Sequence, residues 1–296
     1  MGTSASSKGP VGGVPMVPPW VPAPVPPNAP PEEQGDDAAD APQQNNPNDV
    51  GQNQPTPEPV PVAAQALPSP IAPAARFGGA RLNLGRFASG GDSRDMRRAV
   101  RYYVGSGYGG GGTSVRRFAG TARTAGTLYD ALSSVARGQA PSAGSPLDPV
   151  LLAGRSAREV MDAVVEAVRP TDGTQDSEAS RAAIKDALSE LLTTFPEADL
   201  LNLNEDQRGF AIEHYVAIDV FRRFQLDLGK TIQDKAPTAT AALARLKEVK
   251  NYIKETVAAA FRKLRTEGSK LTVGRISGFV QTALAEAFQV FEGYAQ

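Results

Sequence analysis

Proline is distributed so unevenly along the 296-residue chain that it divides the sequence into two parts. Nineteen of the 25 prolines precede residue 76, and few large apolar residues accompany them. Such a segment buries too little surface to offset the entropy lost on folding. We therefore expect a long, disordered, Pro/Gly-rich N-terminal tail over residues 1–90, followed by a folded body.

Net charge also changes along the chain. Residues 1–75 carry a net charge of −6, residues 76–137 carry +8 with eleven arginines, and residues 138–296 carry −3. The sequence thus predicts three parts: an acidic Pro-rich tail (1–90), a basic Arg/Gly helical neck (91–138) and an α-helical bundle domain (139–296).

Several classes of protein are excluded by composition. The chain has no cysteine, so it has neither disulfides nor thiolate metal sites. No apolar run reaches the roughly 20 residues of a membrane span, and Pro and Gly interrupt every candidate signal peptide. We expect a soluble cytoplasmic protein.

The body reads as helical throughout. Ser156 and Glu159 form a predicted capping box, Asn204 is a predicted N-cap, and Gly229 is the predicted end of the helix that Asn204 opens. Apolar residues recur every three or four positions, and no segment alternates with the period of a β-strand. The predicted fold class is all-α, an antiparallel helical bundle.

The basic neck begins with a two-faced helix. Its arginines Arg94, Arg97, Arg98 and Arg101 lie on one face, opposite an apolar face of Met96, Ala99, Val100 and Tyr103. The arginine face could bind nucleic-acid phosphates, with tyrosines available to stack on bases: Tyr102, Tyr103 and Tyr108. The alternatives are a solvated face or an intramolecular partner for the acidic tail.

Two further features resemble functional motifs but are better explained by structural roles. GSGYGG at residues 105–110 follows a helix and lacks the strand of a dinucleotide fingerprint, so it predicts a flexible hinge with at most weak anion binding. His214 is the only histidine and lies on an apolar stripe, which predicts a rim or core position. We expect no catalytic residue, no metal and no cofactor, so the protein is not predicted to be an enzyme.

The opening MGTSASS formally fits an N-myristoylation pattern, but the acidic tail supplies no second membrane signal, so we expect no membrane attachment. Removal of Met1 would leave Gly2 with an unhindered α-amine of pKa near ~8. VPPWVPAPVPP favours polyproline II and presents Trp20 on a semi-rigid segment.

The opening MGTSASSKGP, with VPMVPPWVP after it, resembles the QatB family, a component of the four-gene Qat anti-phage defence system of bacteria. DMRRAVRYYVGSGYGGGGTSVRRFAGTARTAG is similar to the Arg/Tyr/Gly segment of that family. The resemblance implies an operon with an ATPase, a QueC-like protein and a TatD-like nuclease.

QueC-like enzymes carry out ATP-dependent chemistry on a carboxylate. The resemblance implies that Gly2 accepts a deazaguanine from such an enzyme, and that Met1, Thr3, Ser4 and Trp20 contribute to tail recognition. Two other hypotheses stay open: a nucleic-acid-binding adaptor that uses the Arg94–Arg101 face, and a virion or scaffold protein with a proline-rich arm.

Limited proteolysis tests the composition break. We expect a stable fragment that begins between about residues 75 and 115, because the preceding segment lacks the apolar residues of a core. Mass spectrometry of the fragment gives its first residue. Protection of the peptide around Trp20 in the isolated protein would contradict the prediction.

Overall fold

The computed structural model describes residues 75–269 and 271–293, and these residues form a helical body without β-strands. A π-helical segment at Tyr103–Gly107 interrupts the succession of α-helices. The α-helices are α1 (Gly78–Gly90), α2 (Ser93–Tyr102), α3 (Gly111–Arg117), α4 (Ala119–Val135), α5 (Pro149–Leu152), α6 (Ala157–Val168), α7 (Gln175–Thr194), α8 (Glu205–Lys235), α9 (Ala239–Thr266) and α10 (Ile276–Gly293).

Helix α8 is the element around which the body is arranged. It spans 31 residues and packs against α1, α4, α7 and α9. Helix α10 packs against α2, α3, α4 and α9. Short connections join α7 to α8 and α8 to α9, so each of these pairs runs antiparallel. The predicted all-α antiparallel bundle is confirmed. In the described ranges we find no helix with the length and apolar character that a membrane span requires.

Local side-chain hydrogen bonds start two helices where the sequence places them. Ser156 Oγ accepts from the Glu159 amide at 3.3 Å, and Glu159 Oε2 accepts from the Ser156 amide at 2.9 Å. Asn204 and Gln207 exchange the same pair of hydrogen bonds at the start of α8, both at 2.9 Å. These reciprocal bonds satisfy amides that the helix itself leaves without partners, and they confirm both predicted helix starts.

The disordered tail predicted over residues 1–90 includes residues that are helical in the structure. Residues 78–90 form α1, although GGARLNLGRFASG contains four glycines and has no side-chain N-cap. The helix is stabilised by burial of Leu84 and Phe87, because it packs against α2 and α8. Gly91 ends it with a positive φ of 80°. The ordered body therefore begins before residue 78, and the boundary at residue 90 is wrong.

The neck predicted over residues 91–138 is also not a separate part. Leu128 and Leu132 of α4 are fully buried, and α4 packs on α6, α8 and α10. A single hydrophobic core runs from Phe77 to Phe291. The basic segment and the bundle share this core, since neither has enough apolar surface facing inward without the other.

The glycine-rich segment GSGYGG at residues 105–110, called the glycine segment below, is ordered, so the predicted hinge is wrong. Its first part forms the π-helical segment and its last part opens α3. Gly107 is buried, and a Cβ there would overlap the ring of Phe77. Glycine is required at this position by the close approach of an aromatic ring.

Helix α8 continues past its predicted end at Gly229. That glycine is buried inside the helix, which ends at Lys235. Ala236 then has an extended backbone (ψ 143°), as expected for a residue that precedes proline, here Pro237. The proline, and not the glycine, stops the helix.

Phe221→Asp tests the central position of α8. Phe221 is buried in the core, whereas Leu226 on the same helix is 51% exposed. We expect Phe221→Asp to lower the free energy of unfolding by more than about 3 kcal/mol, because it buries a carboxylate without a partner. Leu226→Asp is the matched control and should cost less than about 1 kcal/mol. Urea denaturation followed by circular dichroism measures both, and equal losses would show that α8 is not central.

Candidate functional site

The residues that the sequence singles out fall in two regions, of which the structure describes one. The tail residues lie outside the described ranges: Met1, Gly2, Thr3, Ser4 and Trp20. The basic face lies on α2, which starts where Asp92 Oδ1 accepts from the Arg94 amide at 2.8 Å. The geometry therefore begins with α2 and the helices around it.

Helix α2 has the two faces that its spacing predicts. Met96 and Val100 are buried against the body. The arginine face consists of Arg94 and Arg98, which are exposed, and Arg97 and Arg101, which are half-buried. Two of these arginines make ion pairs within their own turn of the chain, Arg94 with Asp92 at 3.6 Å and Arg98 with Asp95 at 3.8 Å. Exposed pairs of this kind contribute about 0–1 kcal/mol.

The three tyrosines beside this face are not equivalent. Tyr102 is 40% exposed, but Tyr103 is 2% exposed and Tyr108 is half-buried. The expectation that all three are available to stack on bases is therefore wrong for Tyr103. Its ring stacks on Phe77 with centroids 5.3 Å apart. The reason is that Tyr103 continues the apolar face of α2 with Met96, Ala99 and Val100, and this whole face is buried.

Tyr103 and Tyr108 instead form a partly buried cluster with Asp227 of α8. Both hydroxyls donate to Asp227 Oδ2, at 3.0 Å and 2.9 Å. Arg76 Nη2 lies 3.9 Å from the other carboxylate oxygen. Burial, together with the charge of Asp227, raises the pKa of Tyr108 to about 12 and raises the pKa of Tyr103 well above its usual value. Both tyrosines therefore remain protonated donors at neutral pH.

A cavity of about 290 Å³ opens beside this cluster. Side chains of both charges line it, with Arg76, Tyr108, Arg117, Asp176, Arg223, Leu226 and Asp227 contributing. Arg223 Nη1 binds Asp176 Oδ2 at 3.0 Å, and Arg76 is near Asp227. Because carboxylates already engage two of its arginines, the cavity offers little net attraction for an anion.

Asp219 is the most deeply buried carboxylate of α8. Thr121 Oγ1 donates to it at 2.6 Å, and Arg223 Nε lies 3.3 Å from the same oxygen. Burial raises the pKa of Asp219, while Arg223 and Thr121 act in the opposite direction. The Asp219 carboxylate thus joins α4 to α8 through a polar contact inside the core.

His214 occupies the rim position predicted for it. Its ring stacks on Phe210 with centroids 3.7 Å apart, and Nδ1 donates to the Phe210 carbonyl at 3.0 Å. Nε2 lies 3.6 Å from Glu190, which also binds Lys254 at 2.6 Å. Burial and the charge of Lys254 lower the pKa of His214. Among the described residues, no three side chains of metal-ligating type come together.

The backbone amide that follows the glycine segment, at Gly111, is hydrogen-bonded to a side chain of the same protein. Gly111 N donates to Glu292 Oε1 of α10 at 3.0 Å, and this carboxylate also lies close to Gly105 and Gly110. An intramolecular carboxylate thus occupies the place where the sequence suggested weak anion binding. The contact ties the start of α3 to the end of α10.

Sequence reasoning missed the acidic partners in these clusters. Asp219 carries a signal that could have been used, since it stands within the apolar run YVAIDVF, where a carboxylate requires a partner. Asp227 carries no such signal. Its tyrosine partners are 119 and 124 residues away in the sequence, and only the fold brings them together.

Comparison with known proteins gives one match. A family model described as "Qat anti-phage system associated protein QatB" matches residues 109–291, more than half of the chain. The matched range starts in the glycine segment and ends in α10, so it covers the core helices α3 to α10 but neither α1 nor α2. Neither a search of curated proteins nor a search of solved structures found a match.

Tyr108→Phe tests the tyrosine cluster by the way in which the free energy of unfolding depends on pH. A pKa raised to about 12 means that the folded state holds the proton more tightly than the unfolded state, whose pKa is near 10. The resulting stability is present below pH 10 and disappears as pH rises through 12, by up to about 2 kcal/mol. Urea denaturation at pH 9 and pH 11.5 should show a smaller decrease for Tyr108→Phe than for the parent. An equal decrease would contradict the assignment.

Proposed function

Since this chain belongs to the QatB family and is a component of the Qat anti-phage defence system, we propose that it acts as the protein substrate of a QueC-like partner enzyme. In this proposal the partner binds the helical body and modifies the chain at Gly2. Membership in the system implies partners among its other components. We include among these the ATPase and the TatD-like nuclease, and we place the reaction in the cytoplasm.

The observation that carries this proposal is the combination of the family match with the opening MGTSASS. An α-amine on glycine has no Cβ beside it, so it can approach an activated carboxyl group closely. In this reaction ATP would activate the carboxylate of a deazaguanine. The amine nitrogen of Gly2 would attack the activated carbon, lose a proton and displace the ATP-derived activating group, which leaves an amide. Removal of Met1 must come first, because it frees the amine of Gly2.

The neighbouring tail residues have supporting roles in this proposal. Thr3 and Ser4 are small and polar, and they would supply hydrogen-bonding groups next to the reacting amine. Trp20 would anchor the segment, since a large aromatic side chain contributes much of the binding energy of many interfaces. The prolines around it would reduce the entropy lost when the segment binds.

The helical body supports a docking role more than a catalytic one, because its titratable groups are engaged with one another. His214 is stacked on Phe210, Asp219 is bound by Thr121 and Arg223, and two tyrosines are bound to Asp227. These contacts hold helices together. We therefore propose that the chain itself is not an enzyme and needs no cofactor.

The mass of the N-terminal peptide tests the proposal. We expect the full chain, co-expressed with the QueC-like partner, to lack Met1 and to carry an added mass on Gly2, and we expect neither an added mass nor protection from phage without an active partner. Gly2→Leu should block both Met1 removal and modification, because the larger side chain hinders both enzymes. Circular dichroism should show unchanged helical content.

Gly9→Leu is the matched control, since it makes the same change seven residues further along the tail. It should leave the modification and phage protection intact. If the parent carried an unmodified Gly2 while its partner was active and protection was intact, the proposal would be wrong. Full protection by Gly2→Leu would contradict it equally.

A further inference from the structure

The α1–α2 hairpin concentrates positive charge that the fold does not neutralise. Between residues 76 and 101 the chain has seven arginines, two aspartates and no lysine. Helices α1 and α2 pack directly on each other, and a Cβ at Gly79 would contact the ring of Tyr102. The arginines of the two helices are therefore carried by one packed pair of helices. Sequence periodicity alone identified only the half on α2.

Three of these arginines have no carboxylate partner among the described residues: Arg81, Arg86 and Arg101. Arg81 and Arg86 are exposed on α1, and Arg101 is half-buried on α2. Two more, Arg94 and Arg98, make only the loose exposed pairs with Asp92 and Asp95. Such pairs are weak enough to be exchanged for a stronger anionic partner.

Elsewhere on the body, several lysines are paired closely with carboxylates. Glu190 binds Lys254 at 2.6 Å, Asp162 binds Lys185 at 2.6 Å, and Glu286 binds Lys263 at 2.5 Å. Close pairing holds these charges within the protein. On the α1–α2 hairpin, by contrast, three arginines without a carboxylate partner belong to two helices that pack on each other, so an extended anion can contact several of them at once.

From this geometry we infer that the α1–α2 hairpin binds the phosphate backbone of double-stranded nucleic acid. A guanidinium group presents a planar fork of donors that matches two phosphate oxygens, and it stays charged at every physiological pH. An array of such groups neutralises several neighbouring phosphates and binds without regard to sequence. This inference does not depend on the modification of Gly2.

The structure favours a duplex over single strands. Binding of single strands draws much of its strength from bases stacked on exposed aromatic rings. Tyr103 is buried and Tyr108 is half-buried, and both hydroxyls are bound to Asp227. Tyr102 is therefore the tyrosine of this segment that remains exposed. Phosphate contacts from arginine remain as the main interaction.

A membrane surface fits the hairpin less well than nucleic acid does. Helices that bind the membrane interface insert an apolar face between lipids. The apolar faces of α1 and α2 are buried in the core, with Leu84, Phe87, Met96 and Val100 inside. The exposed surface of the hairpin is mainly arginine with only two large apolar side chains, Leu82 and Tyr102, which is less than the continuous apolar face that such helices insert.

Fluorescence anisotropy with a labelled 20-base-pair DNA duplex of arbitrary sequence tests the inference. The full chain is compared with the variant Arg81→Gln, Arg86→Gln, Arg101→Gln. Counterion release predicts that the slope of log Kd against log salt falls by about 0.9 for each phosphate that the variant no longer neutralises, up to about 2.7 in total. Between 50 and 200 mM salt the parent should then weaken by about 40-fold more than the variant.

The matched control removes three exposed arginines from other parts of the body: Arg123→Gln, Arg158→Gln and Arg275→Gln. It changes the net charge equally and should keep the parent's slope. Circular dichroism confirms that each variant is folded. Absence of duplex binding in the parent would overturn the inference, as would an equal reduction of the slope in both variants. Hairpin-dependent binding to anionic lipid vesicles or to polyglutamate, without binding to the duplex, would also overturn it.

Discussion

The fold depends on the burial of the central two turns of α8 around their whole circumference. Seven consecutive residues of α8, from Tyr215 to Phe221, are buried. A helix with this pattern cannot lie on a surface, because every direction around its axis must be covered by another element. Helices α1, α4, α7 and α9 provide that cover. The all-helical architecture, with α8 inside, follows from this requirement.

Polar groups on α8 then restrict how the surrounding helices can pack. Asp219 requires Thr121 and Arg223, and Asp227 accepts from Tyr103 and Tyr108. Without its donors the buried carboxylate of Asp219 would cost several kcal/mol, and the half-buried carboxylate of Asp227 would cost less, so packings that separate the partners are disfavoured. The apolar core makes the body compact. These few polar contacts fix where the π-helical segment and α4 lie along α8.

The described body has one part that the family match covers and one part that precedes it. The family match covers α3 to α10, whose ion pairs are close and internal. The α1–α2 hairpin precedes the matched range and holds arginines that the body does not neutralise. A protein substrate that is held by a partner enzyme and also contacts nucleic acid would use the tail for the first role and the exposed arginines of the hairpin for the second, although the hairpin shares the hydrophobic core of the other helices.

The sequence by itself determined the features that depend on nearby residues. The capping box at Ser156, the N-cap at Asn204, the two faces of α2 and the absence of strand periodicity were all readable, because the interacting groups lie within a few positions of each other. Only the tertiary structure decided whether weak local signals become ordered elements. Helix α1 has four glycines and forms because Phe87 and Leu84 are buried against α2 and α8, and the glycine segment is rigid because Phe77 packs on Gly107. The partners of Asp227 were equally unreadable, since they lie more than 100 residues away along the chain and the free energy that pairs them exists only once the core has formed.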